Sequence, residues 1–127
     1  MLSLETKIAL LREMETMIDP EDQPDGEPGV LGHYADLVDI LLEAYQQAAH
    51  GKGKERHANA RAFSDQPILS IGTMVGMGYP LGQAMKKLQE SRTLLKLDGG
   101  QHRAFAEILG AMVYAAAAAM LVRDGKA

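Results

Sequence analysis

The sequence predicts an all-α fold, a compact helical bundle of about five helical segments that assembles as an oligomer. Apolar residues recur at three- and four-residue spacing in five separate stretches, glycine and proline punctuate the gaps between them, and no stretch alternates apolar and polar residues as a strand would. At 127 residues, with 46% hydrophobic and 24% charged, the chain is long enough for one core and too short for two. The expected organisation is a single domain, 1–127, made of an acidic helical hairpin over 3–50, a basic loop over 51–66 and a second helical hairpin over 67–124.

In the first stretch Leu4, Ile8, Leu11, Met14 and Ile18 share one face, and Ser3 with Thr6 offers a start signal, so a helix is predicted over 3–18. Asp19-Pro20 ends it, because proline disfavours a helical conformation in the residue before it. The run Asp19–Gly32 carries three prolines and five acids and reads as an exposed loop. A second helix follows from His33 to His50, with Leu37, Val38, Leu41, Leu42 and Tyr45 as its expected buried stripe and Asp36, Asp39 and Glu43 opposite. Gly51 and Gly53 stop it.

After the basic loop, Ser64 or Asp65 can cap a third helix over Pro67–Met77. Gly72, Gly76 and Gly78 dilute it, which calls for tight packing or close backbone approach in compensation. A fourth helix spans Leu81–Leu97, with Leu81, Ala84, Met85, Leu88 and Leu95 expected inside and Lys86, Lys87, Glu90 and Arg92 outside. Asp98-Gly99-Gly100 breaks the pattern, and the last helix, Gln101–Arg123, ends before Gly125. A face of Ala115, Ala116, Ala118 and Ala119 has little bulk, so a neighbouring helix can approach closely. Homo-oligomerisation through this Ala-rich C-terminal helix is the expected use of that face.

Composition removes several chemistries. Cysteine is absent, so neither a disulfide framework nor a thiolate zinc site exists. Gly51-Lys52-Gly53-Lys54 lacks the spacing of a phosphate-binding P-loop, and the glycines at 72, 76 and 78 do not spell a dinucleotide fingerprint. His33, His50, His57 and His102 lack metal-ligand spacing. With a pI near 5.5, two Phe and no Trp, base stacking and a strong phosphate field are both disfavoured, so no nucleic-acid partner is expected. Leu2-Ser3-Leu4-Glu5 leads into a charged amphipathic pattern rather than a secretory signal, and the longest apolar run, Gly110 to Val122, is shorter than the roughly 20 residues of a membrane span. A cytoplasmic protein with no membrane role is the expectation.

Charge is strongly polarised along the chain. Residues 1–46 hold eleven acids and two bases, whereas residues 47–127 hold six acids and eleven bases. Such halves attract one another, within or between chains, or collect cations on one side and phosphates on the other. Asp36 and Asp39 lie three apart on a helix, and Glu13, Glu15 and Asp19 cluster near the end of the helix before it. If the two helices pair antiparallel, these oxygens could converge as ligands for Mg²⁺ or Mn²⁺. Lys52, Lys54, Arg56 and Arg61 in the basic loop could then contact a nucleotide's phosphates. The plain alternatives are a wet helix face and a solvated connector.

The segment YADLVDILLEAY, Tyr34–Tyr45, resembles the third-helix motif of the MazG-like all-α nucleoside triphosphate pyrophosphohydrolases. The resemblance implies an E-x-x-E helix and a later E-x-x-D helix that together bind Mg²⁺. Asp36 and Asp39 fit the second motif with Asp at its first position, while REMETMID, Arg12–Asp19, contains no E-x-x-E. The implied activity is metal-dependent release of pyrophosphate from a (deoxy)nucleoside triphosphate. ERHANARAF and QPI, with the following GQAMKKLQE, also resemble small phage-encoded proteins of unassigned role, a likeness that carries no chemistry. The alternative expectation, a non-enzymatic oligomeric helical protein of the phage-factor type that binds a partner protein, rests on the alanine-rich helix, the glycine-rich helix and the incomplete metal motif.

Overall fold

The computed structural model describes residues 3–16, 30–51 and 61–127. Among them are five α-helices and no strand: α1 Leu4–Thr16, α2 Val30–His50, α3 Pro67–Val75, α4 Gly78–Leu95 and α5 Gln101–Arg123. A single 3₁₀ turn, Phe63–Asp65, precedes α3. The chain divides into two compact units, Met1–Glu43 and Ala44–Ala127, which meet in sequence inside α2.

Local chemistry sets the helix ends. The Thr6 N–H donates to Ser3 Oγ at 3.2 Å, which satisfies one of the free N–H groups at the start of α1. Pro67 sits at the first position of α3, where its missing N–H costs nothing. The cap residue is Gln66, not Ser64 or Asp65; its side chain turns back to donate to the Arg61 carbonyl. Helix α3 ends at Val75, two residues earlier than its apolar pattern suggests, because Gly76 takes φ 94° and leaves the helical region. Proline does not delay α4: Pro80 lies in its first turn, where no N–H is needed, so the helix begins at Gly78. At the end of α5, Lys126 N–H reaches the Leu121 carbonyl and Gly125 N–H the Val122 carbonyl, with Gly125 at φ 68°. This is a full Schellman closure.

In the unit Met1–Glu43, Val38 is buried while Leu37 and Leu41 are exposed, and Tyr45 just beyond the boundary is exposed as well. The stripe expected to be buried on α2 is therefore largely bare, as are Asp36 and Asp39 on the other side.

In the unit Ala44–Ala127 the core forms where α3 crosses the α4–α5 hairpin. Ile68 and Leu69 pack against Tyr114, Ala117 and Leu121, with Met77, Tyr79 and Ala84 around them. Helices α4 and α5 make the most extensive contact of the unit. Their seam repeats at alternating three- and four-residue steps: Pro80, Ala84, Lys87, Ser91 and Leu94 on α4, and Ala104, Glu107, Ala111, Tyr114, Ala118 and Leu121 on α5. Five of these eleven residues are Ala or Ser, the residue sizes that favour a short interaxial distance. Ser91 is buried at 4% exposure and donates to the Leu88 carbonyl at 2.6 Å.

This seam reverses the expected orientation of α4. The bulky row Leu81, Met85, Leu88 and Leu95 is exposed, and Lys87, expected outside, lies in the seam against Glu107. On α5, Ala117 and Ala118 are buried within the chain, which leaves Ala115, Ala116 and Ala119 exposed.

Of the glycines that dilute α3, Gly72 is the one fixed by packing: a Cβ there would lie 2.7 Å from Leu121 Cδ1. Gly82 on α4 faces open space. Gly72→Ala is expected to destabilise the protein by about 1–3 kcal/mol through overpacking. Gly82→Ala is expected to stabilise it by roughly 0.5–1 kcal/mol. Denaturant unfolding followed by circular dichroism measures both, and equal stability of Gly72→Ala and wild type would show that the close approach is absent.

Candidate functional site

The unit Ala44–Ala127 contains a cavity of about 630 Å³ between the C-terminal turn of α2, the start of α3 and the first half of α5. Gln47 joins two of its walls, donating from Nε2 to the Ala106 carbonyl at 3.0 Å. Phe63, Ile68, Leu109, Val113 and Tyr114 supply apolar lining. Its polar lining includes His50, His102, Arg103 and the Lys87–Glu107 pair.

Lys87 Nζ lies 3.3 Å from Glu107 Oε2, with both side chains about three-quarters to four-fifths covered (20% and 25% exposed). The lysine stem crosses Gly110, where a Cβ would meet it at 3.1 Å, so the absence of a side chain at 110 lets the pair form across the helices. Each charge is neutralised by the other before any ligand arrives. Arg103, exposed at the first turn of α5, has no ion-pair partner among the described residues.

Tyr114 closes the cavity against the core. Its ring meets Tyr79 edge-on, centroids 6.0 Å apart and planes at 86°. Burial, then the hydrogen bond and charge of Tyr79, push the Tyr114 hydroxyl up to about 12, so it stays neutral through the physiological range.

A second cavity of about 430 Å³ lies on the other side of α3, lined by Arg61, Asp65, Thr73, Met120, Asp124 and Lys126 among others. Of the basic-loop residues proposed to contact phosphate, Arg61 lines this smaller cavity, and Lys52, Lys54 and Arg56 lie outside the described residues. Among the metal candidates, Glu13, Asp36 and Asp39 are exposed on α1 and α2. Asp19 and the side chain of Glu15 lie outside the described residues. Among the described residues no group of three or more His, Asp or Glu is placed to hold a metal ion.

By length and composition α5 does reach what a membrane crossing requires, with a mean hydropathy of 1.9 over its most apolar window, 39% of which is buried inside the chain. Its charged and strongly polar residues, Gln101, His102, Arg103 and Glu107, lie toward its first turns, so the uninterrupted apolar run remains Gly110 to Val122.

Sequence reasoning passed over the cavity. Gln47, Phe63, Arg103 and Val113 come from three distant stretches, and no spacing rule connects them. Compared with protein-family models, with curated proteins and with solved structures, the chain matches none.

The chain has four tyrosines. In an alkaline titration read by tyrosinate absorbance, one of them is expected to ionise late, near pH 12, and Tyr114→Phe is expected to remove that late step. The raised value favours the folded state below pH 10, and that contribution disappears as pH climbs from 10 to about 12. A late step that survives in Tyr114→Phe would assign the buried hydroxyl elsewhere.

Proposed function

We propose that the protein is a non-enzymatic helical interaction protein whose α4–α5 hairpin pairs with a second copy of itself. The observation that supports this reading is a continuous apolar face on that hairpin. Met85 is 71% exposed, Leu95 57% and Val122 61%, and Leu81, Leu88 and Ile108 are bare to lesser degrees. On each helix the bare row lies one residue C-terminal to the seam row, about 100° further round. Because α4 and α5 run antiparallel through a short turn, the same rotation about each chain direction brings both rows to one side of the hairpin.

The face alternates bulk and space. Helix α4 offers Leu81, Met85, Leu88 and Leu95, and α5 offers Ala115 and Ala119 beside Ile108 and Met112. A two-fold axis through the face sets the bulky row of one copy on the alanine row of the other, a self-complementary arrangement of four helices. Arg92, the charged residue of the α4 row, faces α5 of the other copy in this arrangement and so does not meet its own equivalent across that axis. The bare face presents on the order of 600 Å² of apolar surface, more than most monomers leave uncovered and near the roughly 800 Å² per partner of a stable interface.

Light scattering of the eluting protein at micromolar concentration is expected to give the mass of a dimer, and Leu88→Glu is expected to give a folded monomer. A wild-type monomer, or a wild type recovered on lipid vesicles instead of as a dimer, would overturn the reading.

A second reading is metal-dependent release of pyrophosphate from a nucleoside triphosphate. It is supported by Asp36 and Asp39, one turn apart and both exposed on α2, inside the segment that resembles the pyrophosphohydrolase motif. These carboxylates, with Glu13, Glu15 and Asp19, are oxygen donors of the kind Mg²⁺ or Mn²⁺ takes, and the metal would supply an activated water. With a panel of nucleoside triphosphates and either metal, pyrophosphate release is the expected readout, abolished in Asp36→Asn and Asp39→Asn. Full activity in both variants, or none in wild type, removes this reading.

A further inference from the structure

We infer that the cavity between α2, α3 and α5 is a binding site for a small amphipathic anion, a molecule with a flat or aliphatic apolar body and one carboxylate or phosphoryl group. At about 630 Å³ it lies in the size range of small-molecule sites. Its chemistry is divided in the way such a ligand requires. The interior surface comes from Phe63, Ile68, Leu109, Val113 and the ring of Tyr114, whose hydroxyl is already engaged with Tyr79. No charge on this part of the lining would oppose an apolar body.

The charged lining points to the sign of the ligand. Glu107 is the cavity's carboxylate, and Lys87 neutralises it at 3.3 Å. That leaves the Arg103 guanidinium, one turn before Glu107 on α5, in no ion pair among the described residues, and His50 and His102, both exposed, line the same cavity. A guanidinium accepts carboxylate and phosphate alike in a paired geometry, which is why the class is defined by charge and shape and not by one head group. A neutral or cationic ligand would leave Arg103 unanswered, and a dianion with no apolar part would forgo the lining that makes up most of the surface.

The site and the surface assigned to self-association meet only at Phe105, which lines the cavity at the start of the bare row. Gly110 and Val113 line the cavity, whereas Ile108 and Ala115 belong to the bare row roughly half a turn away around α5. Binding in the cavity therefore does not require the dimer, and loss of the dimer does not remove the cavity.

The test uses the whole 127-residue chain and three probes that share one ring system: 1-naphthoate, 1-naphthyl phosphate and neutral 1-naphthol. Amide shifts in ¹H–¹⁵N spectra report where each probe binds and how tightly. Saturable binding of at least one anion is expected, with shifts centred on Gln47, Arg103, Gly110 and Val113, and with 1-naphthol weaker. Arg103→Glu, an exposed substitution that leaves the fold intact by circular dichroism, is expected to weaken the anion about tenfold and the naphthol little, the scale of one lost charge-assisted hydrogen bond. Val113→Phe, which fills the cavity, should weaken all three. The relative strength of naphthoate and naphthyl phosphate then identifies the head group. Equal affinity for anion and naphthol, an unchanged anion affinity in Arg103→Glu, or shifts confined to Leu81, Met85 and Leu88 would each overturn the inference.

Discussion

The close antiparallel packing of α4 on α5 is the constraint on which the rest of the second unit depends. Ala84, Ser91, Ala104, Ala111 and Ala118 keep the seam narrow, and interaxial distance follows the size of the residues at the contact. A narrow seam lets Lys87 reach across to Glu107 over Gly110. It also places Leu121, at 1% exposure, where α3 can lie on it with Gly72 at the crossing point. The core of Ile68, Leu69, Tyr114, Ala117 and Leu121 is then the product of three helices meeting at one end of the hairpin. The cavity lies along the first half of α5 and borders this core at Ile68 of α3 and at Tyr114.

The same constraint decides which residues face outward. Two rows on α4 are offset by a single residue: Ala84, Lys87, Ser91 and Leu94 in one, Met85, Leu88, Arg92 and Leu95 in the other. Both have helical spacing, and hydrophobicity alone selects the second as the buried one. Packing selects the first, because its Ala84 and Ser91 leave room for the larger members of the α5 row, Glu107, Tyr114 and Leu121, which alternate there with Ala104, Ala111 and Ala118. Periodicity thus locates a helix and its possible faces but cannot choose between neighbouring faces without knowing the partner.

Helix ends were the most legible part of the fold, since they depend on residues within one turn. Ser3 at the start of α1, Pro67 at the start of α3, Gly100 before α5 and Gly125 after it were readable from their own chemistry. Gly76 was harder: it was visible as a glycine inside an apolar run, but only its left-handed backbone shows that the run ends there. The candidate sites divide in the same way. Asp36 and Asp39 are a local pattern, so the sequence displays them whether or not they bind anything. The cavity is assembled from Gln47, Phe63, Arg103 and Val113, and the hydrogen bond that closes it joins Gln47 to Ala106 across 59 residues.

Placing bulky residues outward has an energetic consequence that bears on function. Leu81, Met85, Leu88 and Leu95 leave about half or more of their surface outside the intrachain core, yet they are four of the five largest aliphatic side chains of α4. A chain shaped only for monomer stability would turn them inward, as bundles ordinarily do. Here the inward positions include Ala84 and Ser91, whose burial yields less than a leucine's would, about 0.8 kcal/mol for each methylene forgone. The α4–α5 hairpin is accordingly less stabilised by its own seam than its composition permits, and the larger gain is left on the exposed face. That distribution is coherent when the face is covered in the working state. It also explains why the charged groups of the seam are paired internally: Lys87 and Glu107 neutralise one another inside the chain and leave the apolar rows of the hairpin almost free of charge.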